Sequence, residues 1–195
     1  MSLDKKTSLL EQGWRNQINA LLAANATVPA GASISYADVF QLAGAVAVEF
    51  SGGPRLYSLV PVGRVDSPSP AVDASATLGN KADDATTLQC RFARSGWTPA
   101  ELVALSGAHT LGFRGPTVGG TRTPMTPSPY LFNNEYFSQV VAGAGVFPSD
   151  NALAAEGTLA TVQRYAGDQD AWFADFSQAY VKMGKLGATW RSYGP

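Results

Sequence analysis

The sequence predicts an all-α domain with long irregular loops. Three observations carry this. Apolar residues recur at helical spacing in most of the periodic segments, several of those segments open on capping signatures, and Gly- and Pro-rich breaks separate them. The 195 residues are 45% hydrophobic and 15% charged, which is a globular composition rather than a disordered one. A chain of this length can bury a substantial core, so we read residues 1–195 as a single domain. Residues 1–33 form an N-terminal helix and linker, 34–187 the main helical body and 188–195 a tail.

The first helix is expected from Thr7 to Ala24, with Leu10, Trp14, Ile18, Leu21 and Leu22 on one face; Pro29 and Gly31 end it. A second runs from Ser35 to Phe50. Ser35 with Asp38 opens it, its apolar run predicts burial nearly all round, and Gly52-Gly53-Pro54 stops it. Residues Arg55 to Lys81 read as irregular, with VPVGRVD as an extended piece. A helix follows from Asp83 or Asp84 through Ala93. Thr98 as N-cap, Pro99 in the first turn and Glu101 as the box partner open the next, which Gly107 and Gly112 weaken towards its end. Residues Phe113 to Pro129 read as loop. Three more helices are expected at Asn134–Ala142, Thr158–Ala166 and Asp168–Leu186, the last closed by Gly187.

Composition excludes several function classes. A formal charge of −1 gives no nucleic-acid footprint. No apolar run reaches the length of a membrane span, although peripheral association stays open, and no targeting segment is visible. Cys90 is the single cysteine, so an intrachain disulfide and a cysteine metal cluster are both excluded. His109 is the single histidine, so zinc sites with several histidines and His–His acid–base pairs are excluded as well.

Four blocks then point further. ISYADVFQLAGAVAVEFSGGP (Ile34–Pro54), ELVALSGAHTLG (Glu101–Gly112), FNNEYF (Phe132–Phe137) with Pro148-Ser149-Asp150, and DQDAWFADFSQAYVKMGKLG (Asp168–Gly187) follow one another in order. Together they resemble the proximal, C-terminal half of class I, ascorbate-peroxidase-type haem peroxidases. Val62–Asp66, VGRVD, further resembles the plastid forms. The resemblance implies a helical peroxidase-like fold lacking the distal-helix part. It also implies His109 as the proximal iron ligand and Asp150 as the carboxylate against its other ring nitrogen. Such a carboxylate fixes the tautomer and strengthens the ligand.

The resemblance also shows departures. The family's distal histidine and arginine lie in an RLAWH-like helix well upstream of the ISYAD block. Residues 1–33 contain no histidine and no such motif; Arg15 is their single arginine, and Lys5 and Lys6 read as solvent-facing charges. The proximal tryptophan falls at Met125. The family's cation site matches at Thr110 and Thr126, but its aspartate is Asn133. An ascorbate-contacting arginine would fall near Val118, with Arg114 and Arg122 out of register.

These losses imply a catalytically degenerate, ascorbate-peroxidase-like protein without cofactor. It would serve as a structural or accessory subunit, bound to protein partners in a larger assembly with a plastid, thylakoid-associated location. Trp97, Trp172 and Trp190 are candidate contact or core residues. The alternative is a haem b peroxidase that reduces hydrogen peroxide with the distal half supplied elsewhere. A peroxidatic role for Cys90 is weaker than a buried, inert one, because no resolving cysteine exists.

Overall fold

The computed structural model describes residues 34–68, 79–115 and 121–191. The helix expected at Thr7–Ala24, with Arg15, Lys5 and Lys6, lies outside the described residues, as does Val118. Among the described residues the architecture is all-α, apart from one two-residue hairpin.

Helix α1 spans Tyr36–Phe50. Ser35 Oγ accepts from the Asp38 N–H at 3.1 Å. The Asp66 carboxylate accepts from the Tyr36 and Ala37 N–H groups at 3.0 and 2.8 Å. Three donors that the first turn leaves without helical partners are thereby satisfied. The VPVGRVD segment, expected to be extended, thus caps α1 through its final residue. Burial differs from the expectation. Asp38, Leu42, Ala45 and Val48 face inward, but Tyr36, Phe40 and Phe50 are exposed. An all-round apolar pattern marks burial only where neighbours cover every face.

A 3-10 turn at Tyr57–Leu59 leads to Arg64, which forms an isolated bridge with Trp190 near the C-terminal end. Helix α2 spans Ala85–Arg94. Asp84 is its cap, accepting from the Thr87 N–H at 2.8 Å, while Asp83 accepts from the Asn80 N–H. Its inward residue is Leu88, and Cys90 faces solvent; the buried cysteine expected from sequence is corrected. Helix α3 spans Pro99–Ser106 with the expected box. Thr98 Oγ1 accepts from the Glu101 N–H, and Glu101 accepts from the Thr98 N–H.

The chain then tightens into a 3-10 turn, Gly107–Thr110, that carries His109. Gly107 is there for space rather than for breaking. A Cβ on it would sit 2.6 Å from Trp172 and 2.7 Å from Phe137. Strands β1 (Phe113–Arg114) and β2 (Thr123–Pro124) pair antiparallel inside the stretch read as loop, too short to show period-two alternation.

Helices α4 (Glu135–Val141), α5 (Pro148–Asn151), α6 (Leu159–Gly167) and α7 (Gln169–Met183) complete the domain. The four residues of α5 were not foreseen; an element this short has no periodicity. Asn134 does not cap α4 with its side chain. Its Nδ2 instead donates to the Tyr165 and Ala166 carbonyls at 3.0 Å, tying α4 to the end of α6. Helix α7 stops at Met183, short of the expected Leu186. Gly184 caps it, and Gly187, at φ +67°, ends the turn that follows.

The core lies where α3 and α7 meet and where α4 packs on α6. Trp172 is fully buried, stacks on Phe132 at 4.7 Å, and donates through Nε1 to the Ala104 carbonyl at 3.0 Å. Trp97 is buried as well, with the Lys182 ammonium 4.6 Å above its ring. Both tryptophans are core residues; Trp190 is exposed, its ring lying 4.7 Å from the Arg64 guanidinium.

Candidate functional site

Three separate elements meet at His109. The 3-10 turn supplies the imidazole, α5 supplies Asp150 and α4 supplies Tyr136. His109 Nδ1–H donates to Asp150 Oδ1 at 2.7 Å. A carboxylate only accepts, so this contact sets the tautomer and leaves Nε2 free of its proton when the ring is neutral. The Tyr136 hydroxyl donates to the same Oδ1 at 3.1 Å, and the Phe147 N–H donates to Oδ2 at 2.8 Å. Asp150 is buried, and these three donors compensate its charge there. Burial, reinforced by the Asp150 charge, pushes the Tyr136 hydroxyl well above the ordinary tyrosine value.

The ring itself is held edge-on between Tyr136 and Phe147, at 5.9 and 5.7 Å between centroids. Nε2 has no hydrogen-bond partner among the described residues. His109 opens onto a cavity of about 390 Å³ whose walls include Phe92, Leu105, Phe147, Met183 and Leu186. Lys81 also lines it, held close by the Ser149 N–H, which donates to the Lys81 carbonyl.

His109 and Asp150, forty-one residues apart, are brought together as the resemblance implied. Tyr136 was missed as part of the site. Its only signal in the sequence was its place in the FNNEYF block. Met125 is buried and follows β2, its N–H donating to the Gly112 carbonyl; it does not line the cavity in front of His109. Thr110 Oγ1 donates to Asn133 Oδ1 at 3.1 Å, and Thr126 Oγ1 donates to the Thr110 carbonyl at 2.8 Å. These oxygens hydrogen-bond to one another, and with Asn133 in place of an aspartate they bring no fixed negative charge to a cation. Among the described residues no cluster of three or more His, Cys, Asp or Glu side chains could hold a metal ion.

The sequence profile of the family described as "Peroxidase" matches residues 3–168. The chain belongs to the peroxidase family. It is 40% identical over 161 residues to a rice protein named "L-ascorbate peroxidase 2, cytosolic" (Oryza sativa subsp. japonica), covering 79% of this chain and 62% of that one. It is 37% identical to "Probable L-ascorbate peroxidase 4, peroxisomal" from the same plant, over 83% of this chain and 56% of that one. "Putative L-ascorbate peroxidase 6" of Arabidopsis thaliana is 35% identical over 190 residues, 91% of this chain and 53% of that one. The chain therefore spans between half and two thirds of the length of these curated relatives. The two rice names specify the cytosol and the peroxisome; none of the three specifies a plastid.

The residues at His109 fit a haem, the group this family carries. The fit lies in the donor set. An imidazole is anchored through Nδ1 by a buried carboxylate, its Nε2 is unpartnered, and an apolar cavity adjoins it.

Proposed function

We propose that this chain is an ascorbate-peroxidase-like proximal module that holds haem on His109 and does not cleave peroxide with its own residues. The observation that carries the haem reading is the 2.7 Å bond from His109 Nδ1 to Asp150. A histidine kept only for packing would not need a buried carboxylate with two further donors to orient it. Haem, when bound, supplies the redox-active iron. The chain's own contributions would be His109 as the residue that holds the iron, Asp150 as the carboxylate that orients it and the apolar walls beside the ring.

Peroxide cleavage needs a further acid–base group besides the residue that would hold the iron. His109 is the single histidine in these 195 residues and is already committed. In the alternative, a working haem peroxidase, the proton-transfer residues would come from polypeptide outside this sequence. The Met125 and Asn133 substitutions support catalytic degeneracy. The test is optical. Haem titrated into the purified protein should give a Soret band that His109→Ala abolishes, without peroxide-driven dye oxidation by this chain alone. A protein that stays colourless sinks the haem assignment; rapid dye oxidation sinks the degeneracy.

A second reading, an accessory subunit of a larger assembly, is favoured by α1. Tyr36, Phe40 and Phe50 lie on one helical face and are 76%, 74% and 84% exposed. A plastid location belongs to this reading and rests on the VGRVD resemblance. Pull-down from fractionated plastids with the wild-type chain and a Phe40→Glu/Phe50→Glu variant tests it; equal recovery of partners by both sinks it.

A further inference from the structure

One oxygen of Asp150 serves two side chains. Oδ1 receives the His109 Nδ1 proton at 2.7 Å and the Tyr136 hydroxyl proton at 3.1 Å, while Oδ2 is taken by the Phe147 N–H. Asp150 and Tyr136 are each 1% exposed, so the bond between them is screened from solvent, while the His109 ring reaches out from the pair towards the cavity. Tyr136 has no other acceptor among the described residues. A donor to a carboxylate oxygen draws electron density towards itself, and a second donor on that oxygen receives less. The two bonds to Oδ1 are therefore in competition. Met125, where the resemblance places an indole, has no hydrogen-bonding proton to add to this carboxylate.

We propose that Tyr136 is a positioning residue for His109: its hydroxyl holds the Asp150 carboxylate and weakens the pull of Oδ1 on the His109 Nδ1 proton, setting how strongly Nε2 donates to a bound iron. This rests on the haem reading above. It goes further by naming the residue that tunes the ligand. The packing of Tyr136 belongs to its ring, which also meets Phe137 at 5.2 Å. The tuning belongs to the hydroxyl. Tyr136→Phe separates the two.

Because His109 is the single histidine, its ring N–H gives one unambiguous NMR signal in the haem-free protein. In Tyr136→Phe, Oδ1 is freed for His109. The Nδ1 proton should move downfield. In the haem-loaded ferrous protein the iron–histidine stretch should rise in frequency and the midpoint potential should become more negative. A purely structural hydroxyl would leave all three unchanged, and that result overturns the proposal. Should Tyr136→Phe fail to fold, 3-fluorotyrosine at position 136 keeps the ring and donates more strongly. All three readings must then move the opposite way, and no movement again overturns the proposal. The proton signal needs no haem, so the two readings fail separately. A shifted signal without a Soret band overturns haem ligation, and the part of the proposal that concerns iron falls with it. A Soret band with an unmoved signal overturns the role of Tyr136 alone.

Discussion

Arg64 Nη1 donates to Asp38 Oδ1 at 2.9 Å, and the two side chains are 4% and 2% exposed. The pair ties the first turn of α1 to the segment that follows the helix. Arg64 Nε reaches on to the Gly184 carbonyl at 2.7 Å, joining both to the end of α7. Asp38 also accepts the Gly63 and Arg64 N–H groups. A buried carboxylate left without its guanidinium is costly. Arg64→Met should destabilise the protein by about 3–5 kcal/mol. Urea denaturation checks this, and a loss below about 1 kcal/mol, the level of an exposed pair, would refute it.

The same pair predicts a direction of acid sensitivity. Burial raises the Asp38 carboxyl, but the Gly63 N–H and the Arg64 guanidinium outweigh it and hold the group below its usual 3.8. At Glu101, burial is likewise outweighed by Lys182 and Thr98, which hold that carboxyl below 4.5. A depressed folded-state pKa means that the unfolded chain binds the proton first. The stabilisation is complete above the unfolded values and is lost as pH falls through them towards the folded ones. Denaturation midpoints should therefore be flat above about pH 5 and fall below it. Glu101→Gln should fall less steeply than wild type; an identical slope contradicts the assignment.

Gly107 allows no side chain. Its would-be Cβ meets Trp172 and Phe137, both rigid core rings, at under 3 Å. Gly107→Ala should cost about 1–3 kcal/mol through overpacking, despite the better helix propensity of alanine. It should also displace the turn carrying His109. A thermal melt reads the first effect and the His109 ring signal the second. A stabilised Ala variant would show that the glycine serves the backbone instead.

Asp150 should matter to haem through His109. Asp150→Asn keeps the volume and removes the charge that orients the imidazole. Haem affinity should fall by about 10–100-fold, the usual cost of losing such a partner. A spectrophotometric titration measures it, and unchanged affinity would mean that the carboxylate serves packing alone.

The cluster of Thr110, Thr126 and Asn133 should be indifferent to cations. Its oxygens are paired with one another and none carries a charge. Replacing potassium by tetramethylammonium at constant ionic strength should leave the wild-type melting temperature unchanged. Asn133→Asp should gain stability in potassium. A wild-type protein that is itself stabilised by potassium would overturn this.

Much of the fold was legible because helical signals are local. Ser35, Asp84 and the Thr98/Glu101 box each act within three residues, and each caps the helix it announced. What failed was long-range or too short. Pairing of Phe113–Arg114 with Thr123–Pro124 and the single turn of α5 leave no periodic trace. The exposed face of α1 could not be read either. Apolar residues announce that burial is favourable and do not say which neighbours exist to provide it.

The helical class and the caps could be read from the order of the residues alone, and the resemblance carried by the ordered blocks implied the family and the pairing of His109 with Asp150. Packing alone settles that Tyr136 shares the Asp150 oxygen, that Gly107 is reserved for Trp172 and Phe137, and that Asp66 caps α1. Each of those contacts joins residues that are distant in the chain. Their geometry follows from how α1, α3, α4, α5 and α7 pack, which no local pattern encodes.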